Sequence, residues 1–252
     1  MRRFFLDREI ILSDKPTLTG PDVKHIRTVL RLKPGEEIFL FDGKGSEYRA
    51  RITASTPKTI ILSVLERFAS ISESPVEITI GQGLLKAKKM DRIVRQVTEL
   101  GIYALIPLLA KRSVPRPRPE RWAEKEQRWE TIAQESLKQC GRSQMPCLEP
   151  PTSFKELVAM SEAHDLRIIF HEGDPELKST PYLGDARDVR KVLALIGPEG
   201  GFTPDEVQTA LECGFVSVSL GPRILKADTA VVAACTILQY AFGDAGGPQE
   251  KS

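Results

Sequence analysis

Two apolar runs that each break into glycine and then into a helix constrain this chain more than any other feature. The first reads Leu195-Ile196-Gly197-Pro198-Glu199-Gly200-Gly201-Phe202-Thr203-Pro204-Asp205-Glu206. A buried strand runs into glycines, whose backbone amides approach a ligand with no Cβ in the way. Thr203 suits the N-cap of the following helix, Pro204 its first position, and Glu206 completes a capping box. Such a helix start seats a carboxylate or phosphate, although a tight turn before a well-capped helix reads the same. The segment matches neither GxGxxG nor GxxxxGK[ST], which argues against a dinucleotide or a nucleoside triphosphate. The second run, Leu220-Gly221-Pro222-Arg223-Ile224-Leu225-Lys226-Ala227-Asp228-Thr229-Ala230, also follows a strand and precedes a helix. It concentrates Arg223, Lys226 and Asp228 between apolar blocks. Both loops leave the carboxyl ends of strands, where ligands bind in open α/β sheets, and they are expected to line one pocket.

The rest of the chain supports that setting. Strand patterns at Val76–Leu85, Tyr103–Leu109, Leu166–Phe170, Val192–Ile196 and Phe215–Leu220 alternate with helical ones. Met90, Ile93, Val94, Val97 and Leu100 form a stripe that stops at Gly101, and further helices are expected over Arg121–Gly141, Phe154–Met160, Thr203–Cys213 and Asp228–Phe242. Such alternation predicts an α/β domain with a mainly parallel sheet. Trp122 and Trp129, at helical spacing, read as core more readily than as stacking platforms. Pro115–Pro119 is a stiff basic loop. Before the small polar stretch Ser70–Pro75, which marks a domain boundary, the pattern is different. Short strands at Glu37–Phe41, Tyr48–Ile52 and Thr59–Leu65 predict a small β-barrel module. One helix interrupts it, Pro21 to Leu32, with Val23, Ile26, Val29 and Leu30 on its apolar side.

Composition narrows the function. The four cysteines (Cys140, Cys147, Cys213, Cys235) form no CxxC pair, and with three histidines in the chain no metal site is expected. Cys213 and Cys235 read as small hydrophobes packed on helix faces. No eighteen-residue apolar run spans a bilayer, and Met1-Arg2-Arg3-Phe4-Phe5-Leu6-Asp7 lacks the apolar region of a signal peptide, so a cytoplasmic protein is expected. The net charge of +2 hides an asymmetry: residues 86–142 carry fourteen bases against seven acids. That imbalance suits a polyanion, whose condensed counterions are released on binding, though a helix face laced with ion pairs has the same composition.

The two glycine segments resemble the last motifs of the RsmE family of SPOUT-class methyltransferases, close to IGPEGG and LGPRILR-x-E-T-A. Arg2-Arg3-Phe4-Phe5 is similar to the family's start, and His25-Ile26-Arg27-Thr28-Val29-Leu30-Arg31-Leu32 to its HxxxVLR segment. Gly83-Leu84-Leu85-Lys86 with Lys89-Met90-Asp91, Glu99-Leu100-Gly101, and Gln139-x-Gly141-Arg142 match further blocks in the family's order. The resemblance implies a PUA-like β-barrel RNA-binding domain over 1–72 and an α/β domain with a C-terminal trefoil knot over 73–243, followed by a frayed tail over 244–252. Such a knot is a rare exception to unknotted chains. It implies S-adenosylmethionine (SAM) as cofactor, S-adenosylhomocysteine (SAH) as product, no metal, a homodimer, and methylation of N3 of a uridine in 16S ribosomal RNA of the small subunit. By position the cofactor pocket would take Leu195, Gly197, Glu199, Gly200, Gly201, Leu220, Gly221, Ile224, Leu225, Thr229 and Ala230, together with Glu172 after its strand. RNA contacts are expected from Arg2, Arg3, His25, Arg31, Lys86, Lys89, Arg112 and Arg142.

Where the family shows Arg-x-Glu-Thr, this chain has Lys226-Ala227-Asp228-Thr229; lysine cannot reproduce a bidentate guanidinium contact, and Asp is shorter by one methylene. Arg223 is the first candidate to stabilise a uridinate, Asp228 to accept or orient the proton, with Lys226 beside them. Two other readings remain open on the residues: transfer to a ribose 2′-OH, and an RNA-binding protein that has lost transfer.

Overall fold

A computed structural model of the chain describes residues 2–114, 122–172 and 188–246, and two units are distinct in it. The Pro115–Pro119 loop, Arg121 and the end of the tail lie outside the described residues. In the first unit, five strands form one curled sheet in the order β1 (Arg3–Phe5), β3 (Glu37–Phe41), β4 (Ser46–Ser55), β5 (Thr59–Ala69), β2 (Thr17–Thr19). Only β1 and β3 run parallel. Alternation does the sorting: Ser46, Tyr48, Ala50 and Ile52 of β4 face inward and the residues between them face out. They meet Phe4, Ile11, Leu18, Ile38, Leu40 and Ile60 in one core.

The helix expected over Pro21–Leu32 is not regular. A single α-turn, α2 (Pro21–Lys24), follows Gly20 and widens into a π-turn over His25–Val29. The Leu30 amide reaches the His25 carbonyl five residues back. Val23 and Ile26 stay buried, but the wider turn rotates Val29 away, and it is 65% exposed instead of packed. Arg31 ends the segment at φ 54.

Residues 134–145, expected within the second domain, pack with the first unit. The cause is Arg3, whose guanidinium donates to the carbonyls of Leu137 and Arg142 at 2.6 Å, to Ser143 Oγ at 2.6 Å and to Glu47 Oε1 at 2.9 Å. It also lies over the Phe41 ring. Arg142 donates to Glu73 Oε2 at 2.9 Å. Arg3 is 6% exposed and Arg142 5%. Both were expected to hold RNA phosphates; their guanidiniums are instead enclosed by protein acceptors and cannot reach a phosphate.

The second unit holds a seven-stranded sheet, in the order β12 (Val216–Val218), β10 (Leu166–Phe170), β11 (Lys191–Ile196), β6 (Glu77–Gly83), β7 (Ala104–Leu109), β8 (Cys147–Leu148), with β9 (Thr152–Ser153) also on β7. Every pair is parallel. The central strands β6 and β11 are buried almost without interruption, as a parallel sheet covered on both faces requires. Leu193 and Leu195 join Phe154, Leu157, Phe202 and Ala210 in a core under α5 (Phe154–Ala159) and α6 (Pro204–Glu212). α3 (Ala87–Glu99) packs on α7 (Ala227–Ala241), which also crosses β6 and β11. α3 buries Met90, Ile93, Val94 and Val97 as its spacing predicts and stops at Gly101, φ 78. On α4 (Trp122–Cys140), Trp129 is buried, meets Trp122 edge to face and donates to Asp91, which makes it core. Cys235 is buried and its thiol is pushed up to about 12, whereas Cys213, expected to pack, is exposed just past α6. Among the described residues no helix is long and apolar enough to cross a membrane.

Arg3→Ala should therefore destabilise the protein by about 3–5 kcal/mol, the cost of stripping one partner from a buried ion pair. Arg31→Ala, at an exposed site, should stay within about 0.5 kcal/mol. Urea denaturation of both variants checks this, and equal effects would contradict the assignment.

Candidate functional site

The strands β10, β11 and β12 end at one edge of the sheet, and the segments that leave them enclose a pocket of about 150 Å³. β10 delivers Phe170, His171 and Glu172. β11 runs into Gly197–Phe202, and β12 into Ser219–Leu225. Gly201 has φ 67 and Gly221 φ 103, and neither has any atom within 4 Å of where a side chain would start. At both positions the bare backbone faces open space.

The first loop is held from below and from its far end. Gly83 closes β6, and a Cβ there would lie 2.3 Å from the Pro198 nitrogen, so only glycine lets the loop cross. The buried Gln82 amide donates to the carbonyls of Gly83 at 2.9 Å and Gly197 at 3.3 Å. At the far end the expected capping box is present: Glu206 N donates to Thr203 Oγ1 and Thr203 N to Glu206 Oε2. The other Glu206 oxygen accepts from Lys111 N at 2.8 Å, which ties α6 to the turn after β7. Arg112, in that turn, lines the pocket and donates to the Gly200 carbonyl.

Most of the expected cofactor residues gather here: Gly197, Glu199, Gly200, Gly201, Leu220, Gly221, Ile224, Leu225, Ala230 and Glu172, and with them Arg223. Four do not. Leu195 is fully buried in the core, because its side chain points to the α5–α6 face of β11. Lys226, Asp228 and Thr229 open α7, where helical geometry turns Ala227 and Ala230 to the pocket and these three away. Asp228 pairs with Arg92 at 3.6 Å, and Lys226 and Thr229 are exposed. Of the expected RNA contacts, Arg2 pairs with Glu36 at 3.2 Å, Lys89 with Glu199 at 2.9 Å, and His25, Arg31 and Lys86 are exposed.

Burial works to raise the Glu199 carboxyl, but the Lys89 hydrogen bond and Glu199's own amide overcome it and hold it below the ordinary 4.5. A depressed carboxyl stabilises the fold above its ordinary range, and that contribution fades as pH falls through the lowered value. The pocket's chemistry is thus backbone amides and carbonyls, an apolar lining of Phe170, Ile196, Leu220 and Leu225, and a few polar side chains at the mouth. This composition suits a ligand with a flat apolar part and a few polar groups. Phe170, His171, Ser219 and Arg112 were not foreseen at the pocket; their presence depends on the lateral order of the strands.

The model of the RNA methyltransferase domain matches residues 72–239, and that of the RNA methyltransferase PUA domain residues 18–65. The protein named ribosomal RNA small subunit methyltransferase E from Bacillus subtilis (strain 168) is 30% identical, over 95% of this chain and 96% of its own. Its namesake from Aquifex aeolicus (strain VF5) is 32% identical over 86% of this chain and 90% of its own. The crystal structure of the Neisseria gonorrhoeae protein of the same name, bound to S-adenosyl methionine, aligns with a TM-score of 0.83 at 33% identity, covering 97% of this chain and 99% of that one.

Gly83→Ala places a methyl group against backbone that cannot yield cheaply. It should cost about 1–3 kcal/mol and raise amide exchange across residues 197–203 more than elsewhere in the unit. Urea denaturation with hydrogen-exchange mass spectrometry checks this, and a silent substitution would show that β6 does not support the loop.

Proposed function

This chain belongs to the RNA methyltransferase family of the ribosomal RNA small subunit methyltransferase E proteins, and from that premise we propose that it transfers a methyl group from SAM to N3 of a uridine in small-subunit ribosomal RNA. The observation that carries the reading is the pocket. It lies wholly within the matched methyltransferase segment, and its two loops present bare backbone at Gly201 and Gly221 where a side chain would fill ligand space. A nucleoside cofactor fits such a cradle: the apolar lining takes a flat ring, and loop amides and carbonyls read its edge.

SAM, when bound, supplies a methyl group on a sulfonium that is already electrophilic. The protein's part is to position the acceptor and to favour loss of the N3 proton. Deprotonation places negative charge on N3 and the flanking carbonyl oxygens, and a fixed cation favours that anion. Arg223 lines the pocket with its side chain exposed at the mouth, where an incoming base meets it. Proton acceptance falls to a group at the same place; Glu172 and His171 line the pocket and Asp228 does not. The base must be unpaired or extruded to reach such a site. RNA phosphates are assigned to the exposed side chains of His25, Arg31 and Lys86. A homodimer is part of the proposal. Ile224, which lines the pocket and is 80% exposed, offers apolar surface beside the site that a second copy would cover. Cytoplasmic residence is part of the same proposal, and a ribosomal RNA substrate supports it.

Nucleoside analysis of small-subunit RNA after transfer from labelled SAM tests the reaction: 3-methyluridine is expected, and label on ribose would overturn the acceptor. Arg223→Ala should raise the transfer barrier by about 2.7–4 kcal/mol, leave SAM affinity nearly unchanged, and be partly rescued at high pH, where uracil ionises unaided. Single-turnover rates across a pH series beside a SAM titration check this. Loss of rate with no pH rescue contradicts the role.

A further inference from the structure

We infer that Arg112 is a positioning residue of the cofactor site, which presets the Gly201–Phe202 peptide plane for the ligand, and is not a phosphate contact for RNA. The inference rests on the cofactor reading above. Arg112 stands in a tight turn after β7 that is pinned on both sides. Lys111 N donates to the buried Glu206 carboxylate at 2.8 Å, and Ala110 and Ser113 bond each other, Ala110 N to Ser113 Oγ and Ser113 N to the Ala110 carbonyl. From this platform the Arg112 side chain lies along Gly200, where a Cβ would meet its stem at 3.2 and 3.3 Å. Its Nη1 donates to the Gly200 carbonyl at 2.8 Å and, at a long 3.4 Å, to the Phe202 carbonyl.

Those two carbonyls define two peptide planes, and each plane is also held at its amide. Gly201 N donates to the Pro198 carbonyl at 2.9 Å, and Thr203 N to Glu206 Oε2 at 2.8 Å. The plane between them, from the Gly201 carbonyl to the Phe202 amide, has no hydrogen-bond partner among the described residues. It stands over Gly197, whose missing Cβ would lie 3.1–3.2 Å from these same atoms. With both neighbours locked, the middle plane has one orientation and offers one donor and one acceptor to the pocket. Among the described residues the second loop has no such charged brace, and Ser219 Oγ bonds across it to Gly221. A side chain that captures phosphate gains from reach, whereas this one is held close along a neighbouring loop.

The test is calorimetric titration of SAH into wild type, R112A and R112K, beside the salt dependence of binding to small-subunit ribosomal RNA and the melting of each ligand-free protein. R112A should weaken SAH about ten- to a hundred-fold, the scale for losing hydrogen bonds to a charged donor. R112K should recover only part of the loss, because one ammonium cannot replace the planar fork. The slope of log RNA affinity against log salt should stay at the wild-type value. Unchanged SAH affinity in folded R112A would overturn the proposal, and a slope flatter by about one would reassign Arg112 to a phosphate. Should R112A fail to fold, R112K reads the same quantities. A wild-type protein that does not bind SAH would sink the cofactor reading itself.

Discussion

The missing side chain of Gly83 is the constraint on which the site depends. β6 and β11 lie side by side in parallel register, Leu195 opposite Gly81 and Ile196 opposite Gln82. For the chain leaving β11 to turn across the end of β6, its backbone must occupy the volume of a Cβ at position 83. Gly81, two residues earlier, makes the same allowance for the Leu195 side chain, whose Cδ2 would lie 2.6 Å from a Cβ there. Between the two glycines, Gln82 turns its amide to the Gly197 carbonyl and fixes the height at which the loop begins. Three consecutive residues of one strand thus decide where the floor of the pocket lies, and the capping box of α6 decides where the loop ends.

Cations of one chemical type serve opposite ends in this molecule, and burial separates them. Arg3 and Arg142 are enclosed by carbonyls and carboxylates and hold residues 134–145 to the first unit. Arg31 and Lys86 carry their charge at the surface, where counterion release rewards a phosphate contact. Arg112 is exposed yet directed at backbone. Net charge along the sequence does not distinguish the three, because each role needs only a guanidinium or ammonium and differs in which acceptors the fold brings near.

What was legible in the sequence is what local physics decides. The stripe of α3 and its stop at Gly101, the alternation in β4, and the Thr203-Pro204-Glu206 cap each depend on residues within one or two turns, and all are as expected. The two glycine loops were legible for the same reason, and the pocket brings most of their residues together. What was not legible depends on the lateral order of strands or on helix phase. Phe170 and His171 enter the pocket because β10 neighbours β11. Lys226 and Asp228 miss it within one chain because α7 starts with Ala227 and Ala230 inward. Val29 left its stripe because a π-turn adds a residue to the helical repeat, which no local pattern announced. Placement of Arg3 needed a partner more than a hundred residues away.

The central claim is that one edge of the parallel sheet, through the loops after β11 and β12, seats the cofactor by its backbone. Hydrogen-exchange mass spectrometry of the full chain with and without SAH reads that backbone directly. The account predicts slowed exchange concentrated in peptides covering residues 196–203 and 219–230, with the β4–β5 region of the first unit unchanged. SAH binding that leaves both loops unprotected, or protects the first unit instead, would contradict it.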